Sequence, residues 1–431
     1  MVSSLQATEW IPYCAEILIC IRIMKRRKKI AMKKNYQDKL SIAMFGQKNC
    51  DRSGGVEVVV VELSKRMAAM GYDVTCFNRS MHCDGSKITE YMGVKEKYVP
   101  TINRKGLAAV SSSFCAALAC ALGKYNVVHI HAEGPAVMCW LPKLFGKRVI
   151  VTVHGLDWKR EKWSKGFGAA YIHFGERCMV KFADEIIVLS KRLRQYFADT
   201  YGRDTQYISN GVERPVLIEP ELIRERYGVE SQYFLSVSRL VPEKRIDLLI
   251  EAFRNVKTDK KLIIAGGSSD TDVYIRKLKS MAAGDERIIF TGFVQGRLLA
   301  ELYSNAYVYV LPSDLEGMPL SLLEAMSYGN CCLTSDIAEC SEVVENKAMT
   351  FKKNDVEDLS NKLQFLCDHP EDVKRYREDA ADFICGKYDW DDVVSRTLER
   401  YKRYSRYESI NEQQVPQVSE SFNKDEINGG Y

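Results

Sequence analysis

Three observations lead the sequence to predict an α/β protein of two domains, each built on a doubly wound, largely parallel sheet. At 431 residues the chain is longer than one hydrophobic core usually serves. Short β-branched runs alternate with amphipathic stretches from about residue 39 to about residue 382. Glycine turns close several of the apolar runs, at Gly46, Gly54 and Gly55, at Gly155, at Gly266 and at Gly317.

The first half opens with a strand over 39–45, the loop QKNCDRSGG, a helix over 56–70 and a strand over 73–77. Open parallel sheets bind ligands at the carboxyl ends of their strands, which places residues 46–55 in a cleft. Gly54 and Gly55 let the backbone approach a ligand there and begin the helix. No G-x-G-x-x-G is present, and the second strand runs into Asn78 and Arg79 rather than an acid, so a dinucleotide fingerprint is excluded. An Ala/Ser-rich helix over 107–122 and strands over 127–131, 149–154 and 185–189 complete this half. His129 and His131 alternate along a strand, where at least one reads as a satisfied core histidine; His154 ends its strand and faces the cleft. Beyond Asp157, aromatic residues (Trp158, Trp163, Phe167, Tyr171, Phe174) alternate with Lys159, Arg160, Lys162 and Lys165. That mixture suits acceptor contact by sugar stacking or a membrane interface, and equally an amphipathic helix with solvated charges.

A Pro/Glu/Arg-rich linker over 213–230 leads to the second domain, 231–388. Its most informative stretch is 311–326, LPSDLEGMPLSLLEAM, where a strand over 306–311 turns through Pro312, Ser313, Asp314 and Gly317 into a helical pattern. Pro319 is expected at the first helical position. The N–H groups of Gly317, Met318, Leu320 and Ser321 are then free at the positive end of the helix, where phosphate binds. Glu316 and Glu324 flank those donors as acceptors for hydroxyl groups, a layout that fits a diphosphate between a ribose and a sugar. A final helix over 389–405 and a polar, disordered tail over 406–431 are expected.

The spacing from Glu316 to Glu324, with Gly-Met-Pro-Leu inside it, resembles the signature of the family 4 retaining glycosyltransferases (glycosyl transferases group 1), of GT-B fold. The segment SVSRLVPEKRID over 236–247 resembles that family's donor-diphosphate segment, with KLIIAGG (261–267) and IFTGF (289–293) after it. In the first half Gly54-Gly55, VTVHGLD (151–157), IVLS (187–190) and ISNGV (208–212) complete the set, so the resemblance covers about 41–400. It implies two Rossmann-like domains facing across a cleft, an acceptor domain over 39–212 and a donor domain over 231–388, with the last helix crossing back. The activity it implies is of hexosyltransferase type: a sugar moves from a nucleoside diphosphate sugar to an acceptor hydroxyl with retention. By resemblance Arg239 and Lys244 hold the diphosphate, His154 reaches the donor, Glu316 meets the transferred sugar and Glu324 the ribose. Gly54, Gly55, Asp157, Asn210, Gly266, Gly317, Met318, Pro319 and Leu320 fall in motifs expected to line the substrate site. No cofactor beyond the co-substrate and no metal is expected, since Asp270-Thr271-Asp272 reads as a solvated loop. A sugar-nucleotide epimerase or hydrolase of the same fold, and a non-catalytic sugar-nucleotide-binding subunit, are the alternatives. HGLDWKR together with the loop GGVE resembles bacterial enzymes of cell-surface polysaccharide assembly, which implies a glycan or lipid-linked sugar acceptor and a cytoplasmic location at the inner face of the plasma membrane.

The formal net charge of +5 is local. Eight Lys and Arg fall within 22–34, whereas residues 35–431 carry 54 basic and 55 acidic side chains, a balance that argues against nucleic-acid binding. The basic run follows an apolar stretch over 10–24, interrupted by Pro12, Glu16 and Arg22. Residues 1–38 are therefore read as a basic leader: an interfacial segment meeting an anionic membrane, a spanning helix, or sequence upstream of a natural start at Met24 or Met32. The 14 cysteines include no Cys-x-x-Cys pair and read as small buried residues in a reducing compartment.

Overall fold

The computed structural model describes residues 40–402, apart from 51–53, 81–87, 105, 161–166, 231 and 268–271. The leader, the tail, Trp163, Lys162, Lys165 and the Asp270-Thr271 part of the acidic loop lie outside the described residues.

Two sheets form. The first contains β1 (Ser41–Phe45), β2 (Asp73–Ser80), β3 (Ile88–Tyr91), β4 (Val94–Pro100), β5 (Val127–His131), β6 (Arg148–Val153), β7 (Glu185–Val188) and β8 (Gln206–Tyr207), in the order β3-β4-β2-β1-β5-β6-β7-β8. Only the β3–β4 pair is antiparallel. The second contains β9 (Tyr233–Val237), β10 (Leu262–Ala265), β11 (Ile288–Gly292), β12 (Ala306–Leu311), β13 (Cys331–Ser335) and β14 (Met349–Phe351), all parallel, in the order β11-β10-β9-β12-β13-β14. Every residue of β5 (VVHIH) and β12 (AYVYVL) is buried, as expected for strands covered by helices on both faces.

Strand order reverses between β1 and β5 and between β9 and β12, and a crevice opens at each reversal. The loops after β1, β5 and β6 and those after β9 and β12 carry nearly all the residues singled out above. The helix Gly55–Ala69 and the final helix Trp390–Tyr401 pack together on one face of the first sheet, where Trp390, Val393, Val394, Leu398 and Tyr401 join Ile42, Met44, Val59 and Val60 in one core. The last helix therefore crosses back to the first domain.

Two elements differ from expectation. The β3–β4 hairpin escapes the sequence reading because charged residues fill it and its turn uses Met92 and Gly93, both at positive φ (51° and 77°), instead of the usual Asn-Gly. The expected linker over 213–230 contains a helix, Glu221–Tyr227, whose fully buried Ile223 belongs to the core of the second domain. The Ile223 N–H donates to Glu301 Oε2 at 3.1 Å.

Candidate active site in the interdomain cleft

The loop after β12 meets the loop after β6 at Gly317. A Cβ built on Gly317 would lie 1.7 Å from the His154 carbonyl oxygen, and one on Gly155 would lie 3.3 Å from Gly317 Cα, so only glycine permits this crossing of the two domains. Beside it the Asn210 N–H points at Met318 Sδ, 3.0 Å away, and a Cβ on Gly55 would stand 3.6 Å from Leu320 Cδ1. Gly54 precedes the first helix of this wall and leaves room for Glu57, whose Oε1 accepts the Lys48 N–H at 2.9 Å. Gly54, Gly55, His154, Asn210, Gly317, Met318 and Leu320 thus converge on one seam.

On the donor side the helix starts at Leu320, with Pro319 as its cap rather than its first residue. That corrects the expected position by one. The Pro319 carbonyl accepts the N–H groups of Leu322 and Leu323, at 3.0 and 3.2 Å. The N–H groups of Met318, Leu320 and Ser321 have no acceptor among the described residues, so the anion-binding end survives the correction. Glu324 lies one turn along, its Oε2 accepting the Tyr303 hydroxyl at 3.2 Å. A Cβ on Gly266 would fall 1.8 Å from the Ser238 carbonyl, and this contact braces the segment that carries Arg239.

Arg239 is reachable from the cleft and makes no ion pair among the described residues. Surrounding protein and the charge of Arg160 lower its pKa from the ordinary value. Lys244 does not stand free beside it: Lys244 Nζ pairs with Glu316 Oε1, and both side chains are largely buried. The next residue, Arg245, is held at φ 49° and pairs with Asp314 at 3.0 Å, so the backbone after Lys244 carries strain that two ion pairs sustain.

The opposite wall is built from β5 and β6. His154 Nε2 lies 3.1 Å from His131 Nδ1, and the His131 ring centre lies 4.2 Å from that of His129, with the rings tilted by 35°. His129 is bonded to the Thr152 hydroxyl at 2.7 Å and to Tyr401 of the final helix at 2.6 Å. His129 is therefore the satisfied core histidine, whereas His131 keeps a buried Nε2 with no hydrogen-bond partner among the described residues. Burial, with the nearby Arg160 charge, brings the His154 pKa down to about 3, and burial does the same for His129 and lowers that of His131. All three imidazoles are neutral at neutral pH.

Arg160 is a cleft residue that the sequence reading places elsewhere. Assigned above to an acceptor-side aromatic and basic run, it turns back into the cleft, its Nη2 4.0 Å from a Cβ built on Gly155. Its Nη1 pairs with Asp157 Oδ1 at 3.2 Å, and the nearby acids Asp157, Glu243, Glu316 and Glu133 raise its pKa. Asp157 is itself held: its N–H donates to Glu133 Oε2 at 2.7 Å. Glu133 is fully buried next to fully buried Glu176, which accepts from Trp158 Nε1, Tyr196 and Tyr201. Burial, with Asp157 and Glu176 nearby, raises the Glu133 pKa well above that of an ordinary carboxylate. The signal in the sequence was the three-residue step from Asp157 to Arg160 in a tight turn; Glu133 and Glu176 gave none.

Among the described residues no group of three or more His, Cys, Asp or Glu is placed to hold a metal ion. None of their helices is long and apolar enough to cross a membrane.

Two facing doubly wound domains with cations and a bare helix terminus at their seam define a GT-B glycosyltransferase. The chain belongs to glycosyltransferase family 4: the family model described as Glycosyltransferase Family 4 matches residues 53–214, and Glycosyl transferases group 1 matches 221–383. It is 30% identical over 313 residues to a D-inositol 3-phosphate glycosyltransferase of Geodermatophilus obscurus, covering 64% of this chain and 69% of that one. Among solved structures it resembles sucrose-phosphate synthase from Thermosynechococcus elongatus, with TM-score 0.71 and 19% identity over 87% of this chain and all of the other. It also resembles Anabaena HepE in complex with UDP and glucose, with TM-score 0.70 and 14% identity over 84% of this chain and 99% of that one.

Proposed function

We propose that this glycosyltransferase moves a sugar from a nucleoside diphosphate sugar to an acceptor hydroxyl with retention at the anomeric carbon, without a metal ion. Two observations support the reading: Arg239, which makes no ion pair among the described residues, lies near the charges of Arg160, Asp157, Glu243 and Glu316, and the N–H groups of Met318, Leu320 and Ser321 have no acceptor among the described residues at a helix start that suits an anion. A diphosphate there draws Lys244 off Glu316 and leaves that carboxylate for the transferred sugar, with Glu324 at the ribose. Arg160 adds a third cation from the opposite wall. As the bond from the anomeric carbon to the leaving phosphate oxygen breaks, negative charge grows on the diphosphate, and these groups stabilise it. The acceptor oxygen bonds to the same face of that carbon, and its proton passes to a leaving phosphate oxygen. Neutral His154 donates or accepts a hydrogen bond at the sugar.

The UDP and glucose bound by HepE support a nucleoside diphosphate sugar as the donor class. The resemblance of HGLDWKR and GGVE to enzymes of cell-surface polysaccharide assembly supports a glycan or lipid-linked acceptor. A proton NMR spectrum of product formed in EDTA tests the chemistry. The anomeric coupling expected is that of the donor; the opposite anomer, or a reaction that starts only on adding magnesium, overturns it.

A further inference from the structure

Four buried polar atoms without a hydrogen-bond partner among the described residues gather at the carboxyl ends of β1 and β2: Gln47 Oε1, Asn49 Oδ1, Asn78 Nδ2 and Arg79 Nε. The site described above uses none of them. The two strands are neighbours, and the Arg79 N–H donates to the Lys48 carbonyl at 2.8 Å, so the four come from two adjoining chain segments. Gly46 ties this corner to the crevice: a Cβ there would lie 2.1 Å from the carbonyl oxygen of His131, whose ring meets His154. Buried polar groups are nearly always paired, so a cluster of bare ones requires a reason.

The bonded halves of the two amides fix which way they face. Gln47 Nε2 donates to the Phe77 carbonyl and to Asn78 Oδ1, both at 3.2 Å, and Asn78 Oδ1 also accepts from Cys50 Sγ at 3.5 Å. Turning Gln47 over would set its oxygen against the Phe77 carbonyl, and turning Asn78 over would set one NH2 group against the other. Gln47 therefore keeps a bare acceptor and Asn78 a bare donor, on side chains only 2% and 1% exposed. Arg79 adds charge. It makes no ion pair among the described residues, and burial lowers its pKa while the charge of Glu57 opposes that shift. Glu57 is committed to the loop instead: its Oε1 accepts the Lys48 N–H at 2.9 Å, and its Oε2 lies 2.5 Å from a Cβ built on Gly54. A guanidinium taken from water with no carboxylate in contact is costly by itself, and its planar fork matches a carboxylate or a phosphate.

These groups complement a hydroxyl-bearing ring with an acidic substituent: Gln47 and Asn49 accept from hydroxyls, Asn78 donates to one, and Arg79 pairs with the acid. They belong to the first domain, whereas Arg239 and Lys244 belong to the second. We propose that Gln47, Asn49, Asn78 and Arg79 form an acceptor subsite, and that the acceptor is an acidic sugar whose carboxylate or phosphate is bound by Arg79. Calling this ligand the acceptor rests on the glycosyltransfer reading; its acidic chemistry does not.

The test is saturation-transfer NMR of the full chain, without nucleotide, with methyl glucuronide, glucose 6-phosphate and neutral methyl glucoside as probes at one ionic strength. The wild type is expected to bind at least one acidic probe about tenfold or more tighter than the glucoside. Arg79→Gln should erase that preference, and Arg79→Lys, which keeps the charge but not the fork, should restore part of it. Unchanged thermal unfolding confirms the fold of each variant. Preference for the glucuronide names a carboxylate and preference for the phosphate ester a phosphate, and either supports the proposal. Binding of the glucoside as tight as that of both acidic probes, binding of none of the three, or an acidic preference that survives in Arg79→Gln overturns it. No turnover is needed, so an Arg79-dependent acidic preference in a chain that transfers no sugar would refute the glycosyltransfer reading alone.

Discussion

The two walls of the cleft hold their polar groups in opposite ways. The donor wall leaves most of them without a partner among the described residues, Arg239 and the backbone N–H groups at a helix start, while Lys244 is paired with Glu316. The facing wall locks its groups inward, with His154 on His131, and with Arg160 on Asp157, which is held through Glu133 beside buried Glu176. On the proposed function, the difference teaches that one wall is built to bind charge while the other fixes geometry. Substitutions on the first should cost binding and rate together, and substitutions on the second should cost rate chiefly.

The largest effect expected is from Arg239→Ala or Lys244→Ala, which removes a cation from the growing charge of the leaving group. kcat/KM should fall about a hundredfold to a thousandfold. Steady-state kinetics with the cognate donor check this, and a fall under tenfold would erase the special standing of the donor wall. Arg160→Gln should lower kcat about tenfold to a hundredfold with little change in donor KM, because the guanidinium acts once charge has developed. A purely KM effect would move Arg160 to the donor-binding wall and break the comparison. Glu324→Ala should weaken donor binding by ~1.5–3 kcal/mol, the worth of hydrogen bonds to a charged group. Unchanged nucleotide affinity in calorimetry would remove Glu324 from the ribose.

The smallest effect sharpens the inward wall. His129 and His131 are buried and neutral, with pKa values below the 6.5 of an exposed histidine. Below pH 6.5 the unfolded chain therefore binds more protons than the folded one, and stability falls as pH falls through that window. The slope should approach about 1.4 kcal/mol per histidine for each pH unit. Thermal unfolding from about pH 7 to about pH 5 should show it, and His131→Asn should flatten it by one histidine's share. An equal slope in that variant would mean that other groups govern acid stability.

This contrast also explains which parts were legible in the sequence. The donor wall is nearly contiguous: Arg239 and Lys244 sit in one turn, Glu316 to Glu324 in one loop and helix, so residue type and spacing carried most of it. Even there the pairing of Lys244 with Glu316 was hidden, because 72 residues separate them. The inward wall joins β5, β6 and three helices, and its contacts, Tyr401 to His129 or Glu133 to Glu176, come from sheet order, which a linear pattern does not display. His129 and His131 were placed on their strand but not divided between their roles. The same limit applies to the helix Leu107–Leu122: its bounds follow from its apolar composition, but which face meets the sheet depends on small residues packing against it.

The central claim, a metal-free diphosphate site centred on Arg239, is tested most directly by titrating UDP, GDP, dTDP and ADP into the protein in EDTA while following thermal unfolding. The account predicts that one nucleotide family stabilises the chain, by about 2.7 kcal/mol at a hundred times its Kd, and that Arg239→Ala loses most of that gain. If no nucleotide stabilises the chain in EDTA and one does on adding magnesium, or if Arg239→Ala binds as the wild type does, the account is contradicted.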